Sequence, residues 1–434
     1  MSYAPKEKLF VGPFIHSNKE GELIIVDHAA IFVKNGKISN IVINPKTADT
    51  AGEDVTILSD GQFLVPGFID GHIHAVQFPN LGIGYDKQLL AWLETYTFPL
   101  EKKYKDENFA AVVFDSFVKQ IIANGTTTAC YFGSLYAKAS LILAQKAAEL
   151  GQRAFIGKLS MNAKRTDDYY ETTEESIVNL KNFVNDIAEM KNSLVKPIVT
   201  PRFALSCDMK LMKELGQFAK EKNLHIQTHI SENLGEIEAV KNEFSEYTSY
   251  ADVYDAAGLL TDKTVLAHGV YLTDNEIKLL NKRRTAVIHC PSSNTCLHSG
   301  LCDVQRLKAG GIKIGLGTDV AGGQSCSILH AMRSALEVST HLSLLKGNYK
   351  AITYKDVFRM ATIGGAMALS IDDEVGNFMI GKQFDALVVN MNINTGYLGK
   401  SIHDTTTEEN LQKFIYSGDD RNITEVYVNG RKIK

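Results

Sequence analysis

The chain has 434 residues, 44% hydrophobic and 22% charged, an ordinary globular composition long enough for one large domain with an accessory unit. Its 46 basic and 50 acidic side chains leave a net charge of −4, which excludes the basic footprint of a nucleic-acid binder. No run of 18 apolar residues predicts a membrane span, the start MSYAPKEKLF lacks the apolar core of a secretory signal, and the six cysteines form no Cys-x-x-Cys pair, a pattern that predicts reduced thiols in the cytosol.

Residues 8–65 read as short strands and turns: LFVGPFIH, ELIIVDHAAIFVKNGKISNIVI and VTILSDGQFLV, with Asn35-Gly36 as a hairpin signal. The far end has the same character, in FDALVVNMN (384–392) and ITEVYVNGRKIK (423–434), with Asn429-Gly430 as a second turn. An antiparallel β unit at each terminus, with another pattern between, predicts that both ends pair into one small β-sandwich domain, residues 1–65 with 375–434.

Residues 66–374 alternate strands with helices. Two apolar runs flank Pro66-Gly67, and the second ends in Asp70-Gly71-His72-Ile73-His74. Gly82, Gly84 and LLAWLETYTFPLE predict an active-site loop and a short helix. Helices are then expected over 107–125, 135–151, 172–190, 209–223 and 274–284, from apolar spacing and terminal glycines or acidic first turns. Strands are expected over 126–132, 153–161, 195–205, 224–232, 264–270, 285–294 and 312–319. With the opening strand these make eight, the pattern of a (β/α)8 barrel. An open doubly wound sheet would call for a Gly-x-Gly-x-x-Gly after an early strand, and none is there.

Barrel enzymes place their chemistry at the carboxyl ends of the strands. In this chain those ends carry His72, His74 and then Gln77 on the first strand, Arg202 and Phe203 on the fourth, His229 and Glu232 on the fifth, His268 on the sixth and Asp319 on the eighth. Alternate residues of a strand share a face, so His72 and His74 project together and Ile73 turns away. Any one of these residues alone is more readily a satisfied polar group at a barrel rim; five strand ends contributing at once are not. His72, His74, His229 and Asp319 form a set of three nitrogens and one oxygen suited to one zinc ion with an open position. Such a metal brings water to a pKa near about 7. Asp319 can take the water's proton, Glu232 can carry it to the substrate, and His268 can orient the attacking water. Two-metal relatives bridge their ions with a lysine near the fourth strand. Lys196 lies at the wrong end of that strand, and Lys158 on the third is the remaining alternative. Gly71 brings no ligand, and variation there is expected to matter little.

At this point the chain resembles the amidohydrolase superfamily, through PGFIDGHIH, THISE, LAHG and GLGTD. Within it the resemblance is to the guanine deaminase family, through DGHIHAVQF, LLAWLETYTFPLE, GQRAFIGKLSMN, VTPRFALSC, HIQTHISENLGEIEAVK, AHGVYL, HCPSSN and GLGTDVAGG, which span about residues 60–390. The resemblance implies hydrolysis of guanine to xanthine and ammonia by a cytoplasmic homodimer in purine catabolism. It implies one zinc per subunit on His72, His74, His229 and Asp319, and a substrate pocket made by His74, Gln77, Arg202, Phe203, His229, Glu232, His268 and Asp319. Arg202 would donate to the carbonyl and an adjacent acceptor, Gln77 would donate and accept, and Phe203 would stack on the purine. The competing expectations are an amidohydrolase that deaminates a different heterocycle, and a non-catalytic scaffold on the same fold, which would have lost its metal ligands.

Overall fold

Pro66-Gly67 divides one apolar run between two sheets. The computed structural model describes residues 7–46, 54–394, 398 and 404–434, so the first six residues of the start MSYAPKEKLF lie outside them. Five strands come first: Lys8–Ser17 (β1), Leu23–Lys34 (β2), Lys37–Ile43 (β3), Val55–Ile57 (β4) and Gln62–Pro66 (β5). The barrel strands follow: Phe68–His74 (β6), Thr126–Phe132 (β7), Arg153–Gly157 (β8) with its continuation Leu159–Ser160 (β9), Val195–Pro201 (β10), His225–Ile230 (β11), Thr264–His268 (β12), Ala286–His289 (β13) and Ile314–Leu316 (β14). Ala386–Asn390 (β15), Ile423–Val428 (β16) and Arg431–Lys432 (β17) return to the first group.

The terminal strands build one sheet in the order β17-β16-β15-β5-β1-β2-β3, with β4 beside β1. It is mixed rather than purely antiparallel, because β4 and β5 both run parallel to β1. Asn35-Gly36 and Asn429-Gly430 both take left-handed φ, the conformation a tight hairpin requires. The buried Arg153 at the start of β8 ties the barrel to this sheet, donating from Nε and Nη2 to Asp385 at 3.0–3.2 Å and from Nη2 to Gln383 at 2.7 Å.

The second sheet is parallel, in the order β14-β13-β12-β11-β10-β8-β7-β6, with β9 beside β10. It curls until its first and last strands meet. Asp319 N donates to His72 O and His74 N to Val320 O, each at 3.0 Å. Asp70 staples the same seam: its carboxylate accepts from Thr318 N at 3.1 Å and Thr318 Oγ1 at 2.5 Å. The barrel of eight parallel strands is therefore present. Its interior is filled by Ile69, Cys130, Phe155, Ile198, Val265, Ala286 and Ile288, with the short helix Ile363–Ala368 packed against them.

Three local expectations change. The seventh strand stops at His289 rather than running to 294, because Pro291 occupies the first turn of a helix, Pro291–Cys296, where its fixed φ and missing N–H are tolerated. The helix expected in LLAWLETYTFPLE is not short: it is one helical run from Leu89 to Lys105, containing a π turn over Leu93–Thr97. Gly71 is constrained: a Cβ there would lie 2.6 Å from Ile288 Cδ1 inside the barrel. No helix among the described residues is long and apolar enough to cross a membrane, and all six cysteines are free thiols.

Candidate active site

The register of β6 against β7 shifts between Asp70 and Ile73. A bulge of this kind puts two neighbours on one side of a strand and so changes which residues face inward. Gly71 meets Ile288 in the interior, and from His72 onward the inward phase falls on His72 and His74. The next strand ends bend by a different device. Ser231, His268 and Asp319 all have left-handed φ (48°, 76° and 49°), which turns the chain sharply at the barrel mouth.

Four ligand atoms converge there. His74 Nε2 lies 3.2 Å from both His72 Nε2 and His229 Nε2, and Asp319 Oδ1 lies 3.2 Å from His72 Nε2 and 3.3 Å from His74 Nε2. Donor atoms at about 2.0–2.1 Å around a tetrahedral zinc stand about 3.3–3.4 Å apart, so these four separations suit such an ion, and the ligand atoms group as His72, His74 and Asp319 and as His72, His229 and His268. The tautomer fits as well. His229 Nδ1 is 2.6 Å from the Arg202 carbonyl, so Nδ1–H donates there and the Nε2 lone pair faces the cradle. Burial lowers the pKa of all three imidazoles, most strongly His74 and His229, and keeps them neutral as metal binding requires. Burial works against the Asp319 carboxylate, but the imidazoles of His72, His268 and His74 hold its pKa well below the usual range.

Beside the cradle opens a cavity. His74, Gln77, Arg202, Phe203, His229, Glu232, His268 and Asp319 all line it, with Leu89, Trp92, Leu93 and Glu236 among the others. Glu232 Oε1 accepts from Ser299 Oγ at 3.0 Å, and its Oε2 lies 3.4 Å from His268 Nε2. Burial raises the Glu232 pKa to about 7 against the opposing charge of His268. Burial lowers that of His268, but Glu232 and Asp319 outweigh it and the net shift is upward. His268 Nδ1 is 2.8 Å from Asn294 Oδ1, which leaves Nε2 pointing at the cavity without a hydrogen-bond partner of its own. Glu236 accepts from the backbone N–H of Glu232 and fixes the turn that carries it.

Every residue singled out from the strand ends thus meets the others at one mouth. Lys158 does not join them: it is buried and ion-paired with Glu171. Lys196 pairs with Glu374, 3.0 Å away. Sequence reasoning missed Glu101, Glu236, Asn294 and Ser299. Glu236 could have been found as the N3 residue of the Asn233 capping box, a readable signal; the others carry no local signal.

The amidohydrolase family model matches residues 63–433, and the chain belongs to that family of metal-dependent hydrolases. A guanine deaminase from Pongo abelii is 45% identical over 441 residues, covering 99% of this chain and 97% of that protein. One from Dictyostelium discoideum is 42% identical over 442 residues, covering 98% of each. The crystal structure of guanine deaminase from C. acetobutylicum, with guanine bound in its active site, matches with a TM-score of 0.92 at 33% identity, over 99% of this chain and 100% of that one.

Proposed function

We propose that this enzyme is a zinc-dependent guanine deaminase, which hydrolyses guanine to xanthine and ammonia. The observation that carries the reading is one cavity in which a four-ligand metal cradle faces Arg202, Gln77 and Phe203, groups that suit a flat base with a carbonyl and ring nitrogens. The relatives named guanine deaminase support it over nearly the whole chain.

One zinc would be held by His72, His74, His229 and Asp319, and would supply Lewis-acid activation of water at neutral pH. The rest falls to the protein's own side chains. Arg202 donates to the purine carbonyl and a neighbouring acceptor, Gln77 donates and accepts, and Phe203 lies against the ring. Asp319 takes a proton from the attacking water, and His268 Nε2 orients that water towards C2. Glu232, whose pKa burial brings near 7, exchanges protons readily at neutral pH. Glu232 gives its own proton to N3, takes up the second water proton and passes it to the departing amine, and is reprotonated by the proton that Asp319 took. The water oxygen ends on C2, the C2–N bond breaks and ammonia leaves, so atoms and charge balance.

The same reading makes this a cytosolic homodimer of purine breakdown with a discontinuous small domain, 1–65 with 375–434, around a catalytic barrel, 66–374. Six free thiols support a reducing compartment. Purified protein should convert guanine to xanthine, followed by ultraviolet absorbance, with one zinc per chain by elemental analysis. Turnover of another amino-heterocycle but not guanine would remove the substrate assignment, and a metal-free native protein would remove the zinc.

A further inference from the structure

Behind the cavity wall a carboxylate collects the substrate-facing groups. Glu101 sits near the end of the helical run Leu89–Lys105 and is 0% exposed. Its Oε2 accepts from Arg202 Nη1 at 2.5 Å and from the Tyr169 hydroxyl at 3.1 Å. Its Oε1 accepts from Arg202 Nη2 and from Gln77 Nε2, each at 3.2 Å. No pocket-lining role falls to Glu101 itself; it touches the two side chains that do line the pocket.

We propose that Glu101 is a positioning and specificity-determining residue: it fixes Arg202 and Gln77 in the orientation that reads the base, and it balances the Arg202 charge so that the cavity takes a neutral purine. The proposal rests on the reading that Arg202 and Gln77 contact the purine.

Geometry supports the first half. Gln77 Nε2 meets Glu101, and its Oε1 accepts from Ala321 N at 3.2 Å. A flipped amide would set oxygen against carboxylate and NH2 against N–H, so the two partners define which end of Gln77 faces which way. Arg202 gives Glu101 one hydrogen from each Nη in a bidentate fork, and its guanidinium carbon lies 4.7 Å from the centre of the Phe98 ring. Of the five N–H donors of an arginine, three remain for a ligand, in a fixed plane. Pairing with Glu101 removes a rotamer-rich side chain's freedom before substrate arrives, which is where preorganisation improves affinity.

The second half follows from burial. Arg202 is 2% exposed, and a buried guanidinium without a counter-charge would draw anions into the cavity. With Glu101 opposite it, the pair is neutral and the remaining donors act as hydrogen-bond donors to an uncharged lactam. A dioxopurine, the product class, is more acidic than its amino precursor, so a charge-balanced pocket also favours release of the product's anion.

The test is Glu101→Gln, which keeps the shape and removes the charge, measured on the zinc-loaded enzyme at pH 8.5. KM for guanine should rise about tenfold or more with kcat changed by less than about threefold, as expected when binding groups are misplaced but the metal site stays intact. Zinc content should stay at the wild-type value. The ratio of the inhibition constant for xanthine to KM for guanine should fall about tenfold, because the uncompensated Arg202 now prefers the anion. A fall in kcat with KM unchanged and zinc lost would mean that Glu101 merely supports the fold, and would overturn the proposal; so would an unchanged inhibition ratio. Arg202→Lys separates the two levels, since it keeps the charge beside Glu101 and loses the planar fork. If that variant leaves KM unaltered, the purine-contact reading fails; if it raises KM while Glu101→Gln does not, the positioning role alone fails. Should Glu101→Gln not fold, Tyr169→Phe decides: it removes one of the four hydrogen bonds and should raise KM by about two- to fivefold at unchanged kcat, and an unchanged KM overturns the proposal.

Discussion

Glu232 and Asp319 are both buried carboxyls at the same mouth, yet their environments drive them apart. Imidazoles surround Asp319 and keep it ionised, whereas Glu232 has one histidine and one serine hydroxyl against nearly complete desolvation. Pairs of titratable groups pushed in opposite directions identify an acid–base division of labour. Glu232→Gln should keep zinc and guanine affinity and lower kcat by about 10²–10⁴-fold, the usual contribution of a proton-transfer group. Steady-state kinetics with metal analysis reads this, and near-normal turnover would remove Glu232 from proton transfer.

At the scale of elements, the seam between β6 and β14 decides whether the cradle exists. His72 and Asp319 approach each other because their backbones pair and Asp70 anchors Thr318. Asp70 Oδ1 also lies 3.3 Å from His72 N. Asp70→Ala would leave buried donors unpaired at about 1–3 kcal/mol each, so it should lower the melting temperature and speed zinc loss to a chelator. Asp70→Asn keeps an oxygen towards the two backbone N–H groups and should be much milder; equal effects of both variants would show that the hydrogen bonds do not hold the seam. Such elements were partly legible in the sequence. Period-two alternation marked His72 and His74, although the residues actually face inward through a bulge that no local rule foretells. An acidic first turn marked the helix starting at Thr173, and Gly151, which is in the left-handed region, marked the end of another. The π turn at Leu93–Thr97 was hidden because it depends on packing over the barrel mouth, and Glu101 because its partner Arg202 lies 101 residues away. Arg202 itself could be read from its strand end; what holds it could not.

For the whole molecule, stability has an acid edge built from buried histidines outside the active site. His16 in β1 accepts a hydrogen bond from Phe378 N at 2.9 Å through Nδ1, which requires the neutral ring. Burial, aided by Lys382, lowers its pKa to about 4, and burial lowers that of His225 to about 4 as well. The unfolded chain takes up these protons first, near about 6.5. Stability is therefore intact above pH 6.5, declines as pH falls towards 4 and levels off below that, by on the order of 1–3 kcal/mol per histidine. His16→Asn, whose amide oxygen can replace Nδ1 without titrating, should flatten the drop in melting temperature between pH 7 and pH 5 at equal zinc content. An unchanged slope would place the acid sensitivity elsewhere.

The closed seam also sets an order of events during synthesis. The candidate ligands occupy positions 72, 74, 229 and 319, so a growing chain carries three imidazoles long before the carboxylate that completes the set. Until β14 has left the ribosome, β6 has no strand on its open side, and β5 just before it, flanked by β1, gains its other neighbour β15 later still. A metal ion met early finds loose histidines in a chain that is still free to move; the same ion met after residue 319 finds a rigid cradle. Under the proposed reading, metal loading therefore belongs after the seam has closed, because the last candidate ligand arrives only with the last strand of the barrel.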